Sequence, residues 1–340
     1  MVAVNHSRGS LPYQTAVRRP WSTVLSAADT LLPGTLKAAR VLSQRSLWTT
    51  LPTTTPERPD AINRLAITVD LDYQADTDAL PGLLDLAEGF DAPMSVAAVG
   101  ALVVADPAPY AQALSGGHEI VNHTQTHPNN PVLNPSEEFW HLSSQRMTEE
   151  VGQAQDVFES LLGVRPVGFR TPHFKDHHRM TAVLEHFPEL RYVSSVLASK
   201  SPLAGRPYLA CASALAGKDS FLFANADQID RCTILQIPLT ACPEHRWSPF
   251  CSWHGIRAGA DPATGAGMHS LAEWERLWHR LLTGAAPAGL AVAYFDPHDL
   301  MRDAETASTF RRMVESAIEA GWQLCTLSEV EAAYRPMSVR

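Results

Sequence analysis

Strand-like and helix-like segments alternate along this chain between residues 65 and 326. That alternation predicts an α/β fold, a distorted and partly closed (β/α) barrel of parallel strands joined by crossover helices. The strand-like runs are short and apolar without a break, as in sheets covered on both faces. Polar residues capable of chemistry stand just beyond several of these runs, where barrels of this kind carry their sites.

Residues 22–47 have helix-compatible apolar spacing interrupted by Pro33-Gly34, and the Thr- and Pro-rich run 50–59 reads as a linker. We therefore divide the chain into an N-terminal extension and linker, 1–60, and a barrel domain, 61–335. Leu65-Ala66-Ile67-Thr68-Val69 is the first strand pattern. A helix over Leu80–Phe90 turns Leu83, Leu84 and Leu86 inward, and Met94–Val99 is the next strand, ending at Gly100. A helix over Pro109–Ser115, a Gly116-Gly117 turn and a strand over Glu119–Val121 follow. The polar segment 128–136 is a loop, and Glu138–Leu162 is largely helical until Gly163-Val164-Arg165-Pro166 stops it. Further strands are expected at Val167–Arg170, Tyr192–Leu197, Thr233–Pro238, Leu290–Phe295 and Gln323–Thr326, and helices at Ser270–Leu282 and Ala304–Ala320.

The chain has 340 residues, 45% apolar and 19% charged, which is ordinary for a water-soluble globular protein. A net charge of −9 argues against nucleic acid or an anionic membrane as the main partner. Residues 1–60 are the exception, with seven Lys or Arg against three Asp or Glu. This basic segment on an acidic body raises the expectation of a homo-oligomer in which it wraps a neighbouring subunit. No apolar run approaches the roughly 20 residues of a membrane helix. The N-terminus has no signal-peptide apolar centre, and the five cysteines form no C-x-x-C pair, so a cytoplasmic, reduced setting is expected.

The most informative stretch is Gly117-His118-Glu119-Ile120-Val121-Asn122-His123-Thr124-Gln125-Thr126-His127. His123 and His127 are four apart, so one helical turn would place both imidazoles on one face. Asp70 and Asp72 are two apart, so a strand points both carboxylates the same way. Two imidazoles with Asp72 make a divalent-metal site with open positions, and Asp70 is left over for proton transfer. His118-Glu119 opens like a zinc-protease H-E-x-x-H, but the next histidine comes five residues after His118 rather than four, and that reading fails. Arg170, at a later strand end, fits a role of holding one of the carboxylates ionised. The aromatic run Trp247–His254 is either a lid that stacks on substrate, through Trp247 and Trp253, or a loop packed over the barrel end. Trp274 and Trp278, four apart, read as one buried helix face, and His177 and His178 as solvated.

Across roughly residues 62–334 these motifs, in their order, resemble the polysaccharide deacetylases of the NodB-homology type, carbohydrate esterase family 4. Thr68-Val69-Asp70-Leu71-Asp72 is similar to the family's first motif, T-F-D-D, with one residue inserted, a D-x-D version familiar from intracellular members. His123-Thr124-Gln125-Thr126-His127 meets the second, and Arg170-Thr171-Pro172 meets the third. Gln236-Ile237-Pro238 and Thr326-Leu327-Ser328-Glu329 also resemble family segments. The resemblance implies Asp72, His123 and His127 as metal ligands, Asp70 as general base, Arg170 as its positioning partner, and a backbone N–H after Arg170 as an oxyanion donor. It implies a divalent ion, Zn2+ first, with Co2+, Fe2+ or Ni2+ as alternatives. The activity implied is hydrolysis of an N-acyl group on an amino sugar, glycoside or related small metabolite. Non-sugar amides, as in allantoinase-like relatives, or altered chemistry are the alternatives.

Three departures surround the substrate rather than the metal. The family's L-x-H-P is here Tyr294-Phe295-Asp296-Pro297-His298, which leaves the general acid open between Asp296 and His298. His173 stands where the family has an aromatic after R-x-P, and is expected to contact substrate. The D-x-W segment has no match near Tyr192-Val193-Ser194-Ser195.

Overall fold

The computed structural model describes residues 60–174, 183–184, 186–195, 206–210, 234–245, 248–259 and 267–335. The expectations for the N-terminal extension and linker, His177, His178 and Trp247 lie outside these residues. Strand β1 (Asn63–Leu71) leads to α1 (Gln74–Glu88), β2 (Met94–Ala98), α2 (Gly100–Ala105), α3 (Ala108–Ser115) and β3 (Glu119–Asn122). Next come α4 (Ser144–Leu162), β4 (Gly168–Phe169), β5 (Tyr192–Val193), β6 (Tyr208–Ala210) and β7 (Ile234–Gln236). The chain closes with α5 (Ser252–Ile256), α6 (Leu271–Ala285), β8 (Leu290–Phe295), α7 (Pro297–Leu300), α8 (Ala304–Glu319), β9 (Trp322–Leu324) and α9 (Leu327–Tyr334).

The strands form one curled half-barrel sheet in the order β6-β7-β5-β4-β3-β2-β1-β8, with β9 paired to the start of β1. Only the β6–β7 pair is antiparallel among the described strands. The chain winds outward from β1 through β2 to β5, then returns to lay β8 on the other side of β1. β1 is therefore the point where the winding direction reverses. Helices diverge on either side of such a strand, leaving a crevice beyond its carboxyl end. Asp70 and Asp72 stand at that end.

Alternation along β1 separates structure from chemistry. Leu65, Ile67, Val69 and Leu71 enter the main core under the helices, while Ala66 belongs to the cluster inside the curl, on the side shared by Thr68 and Asp70. β8 repeats the arrangement. Ala291, Ala293 and Phe295 join the main core, while Leu290, Val292 and Tyr294 face the inner cluster, so the chain reaches Asp296 on the inner side. On α6, Trp274, Leu277, Trp278, Leu281 and Leu282 follow the i, i+3, i+4 spacing of a buried stripe. The Trp278 indole N–H donates to the Met313 carbonyl at 2.7 Å, fastening α6 to α8. None of the described helices is long and apolar enough to cross a membrane.

The expected elements occur, with two informative differences. The stretch 138–162 is not one helix, because Ser143 accepts from the Arg146 N–H and caps α4 there, leaving a separate 3-10 turn at Phe139–His141. Its far end is closed by Gly163 in the left-handed region, φ 71°. Strands β4 and β5 are only two residues long. They meet closely because residue 168 is glycine: a Cβ there would stand 2.0 Å from the Tyr192 ring.

Candidate active site

Asp70 is buried and its Oδ1 accepts from Arg170 Nη1 at 2.7 Å. The second guanidinium nitrogen, Nη2, donates to Thr68 Oγ1 at 3.1 Å and to Ser194 Oγ at 3.4 Å, and Phe174 lies 5.3 Å beneath the guanidinium carbon. Arg170 is fully buried, so this cation has no role in solvation and is held for the carboxylate. Burial pushes the Asp70 carboxyl up, and Arg170 and His123 pull against that rise. The Thr171 N–H, expected as an oxyanion donor, is instead engaged by Ser195 Oγ at 2.8 Å, because β5 lies alongside and offers a hydroxyl at that level.

The two histidines meet, but not by a helical turn. After β3 the backbone is irregular, with Thr124 at φ 71° and His127 at φ 48°, both in the left-handed region. Side-chain hydrogen bonds hold this conformation. Asn122 Oδ1 accepts from the Thr124 N–H at 2.9 Å, Thr124 Oγ1 accepts from the His127 N–H at 3.0 Å, and buried Glu150 of α4 accepts from the Thr126 N–H and hydroxyl, each at 2.8 Å. Helix geometry is thus replaced by local turn chemistry, which makes the threonine of H-T-x-x-H a structural requirement.

His123 Nδ1 lies 2.8 Å from the Arg170 carbonyl. A carbonyl can only accept, so Nδ1 carries the proton and Nε2 presents its lone pair. That lone pair lies 3.2 Å from Asp72 Oδ1, and His127 Nε2 lies 3.4 Å from the same oxygen. Asp72 Oδ1 and both ring nitrogens of His127 are buried without a hydrogen-bond partner among the described residues. Acceptors facing one another at this distance need a proton or a cation between them. The donors of Asp72, His123 and His127 lie within 4.8 Å of one another, one carboxylate and two imidazoles, a set that fits a divalent ion of the zinc class. Burial lowers the His127 pKa to about 4, leaving its imidazole neutral. Burial alone would raise Asp72, but the adjacent His127 and His123 take it below the ordinary carboxylate range.

Asp76 was not foreseen. It is N3 of α1 and its Oδ2 accepts from the Asp72 and Tyr73 N–H groups at 3.2 and 3.0 Å. Its Oδ1 meets His298 Nδ1 at 2.5 Å and the His298 N–H at 3.3 Å, joining the ends of β1 and β8. That hydrogen bond raises the His298 pKa above the usual imidazole value. Asp296 is buried, accepting from Arg257 Nη2 at 2.5 Å and from the Tyr294 hydroxyl at 2.9 Å. Burial pushes its carboxyl well above the ordinary range, opposed by Arg257. Arg257 also donates to Asp299 at 2.9 Å, and His298 Nε2 stands 3.5 Å from that same carboxylate. Asp76, His298, Asp299, Arg257 and Asp296 form a row of alternating charge along the crevice. Neither Arg257 nor Asp76 stands in a motif, and the expected helix start at Leu80 left Asp76 outside it.

Of the residues expected around the substrate, His173 sits on a left-handed turn, φ 56°, with its ring 5.0 Å from His127 and 6.0 Å from Trp140. Trp253 is 40% exposed on α5 and packs edge-on to His254 at 4.3 Å. Trp247 lies outside the described residues. His118, the discarded zincin histidine, accepts from the Met94 N–H at 3.0 Å, and half-buried Glu119 accepts from Ser95, Tyr192 and Ser328. Both are parts of the scaffold.

The polysaccharide deacetylase family model matches residues 57–188, the segment that carries Asp70, Asp72, His123, His127 and Arg170. The resemblance drawn from the motifs therefore holds. Among solved structures, a protein described as a polysaccharide deacetylase from Mycobacterium smegmatis is 18% identical, with 84% of this chain and 94% of that chain covered at a TM-score of 0.65. One so described from Pseudomonas aeruginosa PAO1 is 12% identical, with 84% and 95% covered at 0.60, and Puue allantoinase is 11% identical, with 84% and 94% covered at 0.59. At these identities the likeness is one of fold. No curated protein matches the chain.

Proposed function

We propose that this protein is a metal-dependent hydrolase of the deacetylase type, releasing an N-acyl group from an amino sugar, glycoside or related small metabolite. The observation that carries the reading is the convergence of Asp72, His123 and His127 beside a separately held, buried Asp70. Asp72, His123 and His127 would hold the ion, with Zn2+ the first choice for a carboxylate and two imidazoles. When bound, such an ion polarises a carbonyl and makes water acidic enough to attack near neutral pH.

The remaining work falls to this chain's own side chains. Asp70 takes the proton of the attacking water on Oδ2, since Oδ1 is held by Arg170. Arg170 keeps Asp70 ionised and fixes its orientation, and its carbonyl fixes the His123 tautomer. His298, kept protonated by Asp76, gives its proton to the departing amine. Asp296 has both oxygens taken, by Arg257 and Tyr294, which suits it to shaping the crevice rather than to proton delivery. His173 and Trp140 border the substrate beside His127.

The test is metal analysis followed by a hydrolysis screen, read as acid release from N-acetylated sugars and linear amides and as ring opening of cyclic amides. Acid release from sugars supports the reading, and hydrolysis of non-sugar amides alone would move the protein to allantoinase-like chemistry. A protein that holds an ion at Asp72, His123 and His127 yet hydrolyses nothing in either panel would sink both. His298→Ala should reduce turnover more than Asp296→Ala; the reverse order assigns the acid to Asp296.

A further inference from the structure

A second group of metal-ligand side chains lies outside this site and plays no part in the reaction above. Cys242 and His245 form a C-x-x-H in the loop after β7, Cys251 and His254 form another at the start of α5, and His269 immediately precedes the N-cap of α6. The donor atoms of Cys242, His245 and His269 all lie within 4.8 Å of one another. Cys242 Sγ is 3.8 Å from His245 Nδ1, close to the ~3.5 Å that sulfur and nitrogen would span around a tetrahedral zinc with ordinary bond lengths. The His245 and His269 rings have their centroids 5.4 Å apart.

We propose that Cys242, His245 and His269 bind a second zinc ion, which fastens the loop after β7 to the start of α6.

The backbone around these residues is built to present them. The loop folds back through an antiparallel bridge between Ala241 and Pro249, the Cys242 N–H donates to the Ser248 carbonyl at 2.9 Å, and the Ser248 N–H donates to the His245 carbonyl at 2.8 Å. The third donor arrives from another segment, held by the His269 N–H on the Gly255 carbonyl at 2.9 Å. Together the donors border a cavity of about 10 Å³, room for roughly one water-sized sphere, whose other walls include Phe250 and Leu277. Trp274 borders the same cavity, and its indole N–H, buried, has no hydrogen-bond partner among the described residues. A thiolate ligand is an acceptor that such a donor can serve. One thiolate and two imidazoles, with the fourth position left to water, select zinc over hard cations such as Mg2+ or Ca2+.

The position gives the ion a consequence. Between its anchors lies α5, which carries Ser252, whose Oγ accepts from the Asp296 N–H at 2.9 Å, and is followed by Arg257, which pairs with Asp296. Fastening both ends of this segment holds the Arg257–Asp296 pair in register with the crevice, as a structural ion does by organising its loop. This proposal does not depend on the reaction assigned above, because its ligands and its readout are separate.

Cobalt separates the two sites, since the Asp72, His123 and His127 set contains no sulfur. The full chain, stripped with chelator and reloaded with Co2+, should bind two ions, one of them with a near-ultraviolet thiolate-to-cobalt charge-transfer band. Cys242→Ser should abolish the band and one equivalent of Co2+, His269→Ala should weaken the same equivalent at least tenfold, and Cys251→Ser should leave both intact. If Cys242→Ser does not fold, zinc-edge X-ray absorption of the wild-type chain should show one sulfur neighbour averaged over two ions. A wild-type chain with no band and no zinc–sulfur contact overturns the proposal, as does a band that survives Cys242→Ser.

Discussion

The two walls of the crevice are built differently. On the β1–β4 side the backbone sets the positions and hydrogen bonds lock them: alternation along β1 turns Asp70 inward towards Arg170, and Thr124 bends its own loop, held also by Glu150, to bring His127 back to His123. On the β8 side the carboxylates owe their state to distant partners, Asp76 to His298 across 222 residues and Asp296 to Arg257 across 39. The first wall is therefore set by the course of the backbone and locked by hydrogen bonds. The second is fixed by charge balance among side chains, and it can be retuned by single substitutions without disturbing the sheet.

The largest effects should come from the first wall. Asp72→Ala or His127→Ala should remove the ion of this site and the activity together. Asp70→Asn should keep that ion, by elemental analysis, and lower turnover by roughly 10²–10⁴-fold, the usual worth of a positioned base. Unchanged turnover removes Asp70 from that role. Arg170→Met should cost about 3–5 kcal/mol in denaturant unfolding, because it strands a buried carboxylate without its cation. A cost below about 1 kcal/mol would mean that Asp70 is neutral in the folded chain.

The same contrast explains what could be read beforehand. The half-barrel, the sites of most strands and helices, and the residues of the first wall were legible, because period-two alternation and short motifs encode them within a few residues. The helical turn expected for His123 and His127 was wrong in its means, because spacing alone cannot show that Asn122 and Thr124 divert the backbone into the left-handed region. Arg257 and Asp76 were invisible, since nothing in their neighbourhoods refers to Asp296 or His298. Spacing alone set aside His118-Glu119 as chemistry, but the scaffold role of Glu119 was not legible, because its partners Ser95, Tyr192 and Ser328 arrive from three other segments.

On the second wall effects should be smaller. Arg257 is one-fifth exposed, so Arg257→Met should destabilise by less than the roughly 3–5 kcal/mol of a fully buried pair, water relieving part of the loss. Its clearer signature should be a change in activity with the ion content of the Asp72, His123 and His127 site unaltered. Equal losses of ion and activity would show that the two walls are not separable.

The smallest effect, and the most diagnostic of charge balance, is the pH dependence contributed by His298. Its folded pKa lies above the ordinary imidazole value, chiefly through the hydrogen bond to Asp76. A group whose pKa is raised on folding contributes stability that is complete below its unfolded pKa, near 6.5, and is lost as pH rises through the folded value. Wild type should therefore exceed His298→Gln in unfolding free energy by more at about pH 6 than at about pH 9. Asp76 works in the same direction, since burial raises its carboxyl too, and Asp76→Asn should flatten the dependence. A difference that is constant with pH, or larger at high pH, would place His298 in the fold as a neutral ring and remove the cation on which its assignment as proton donor rests.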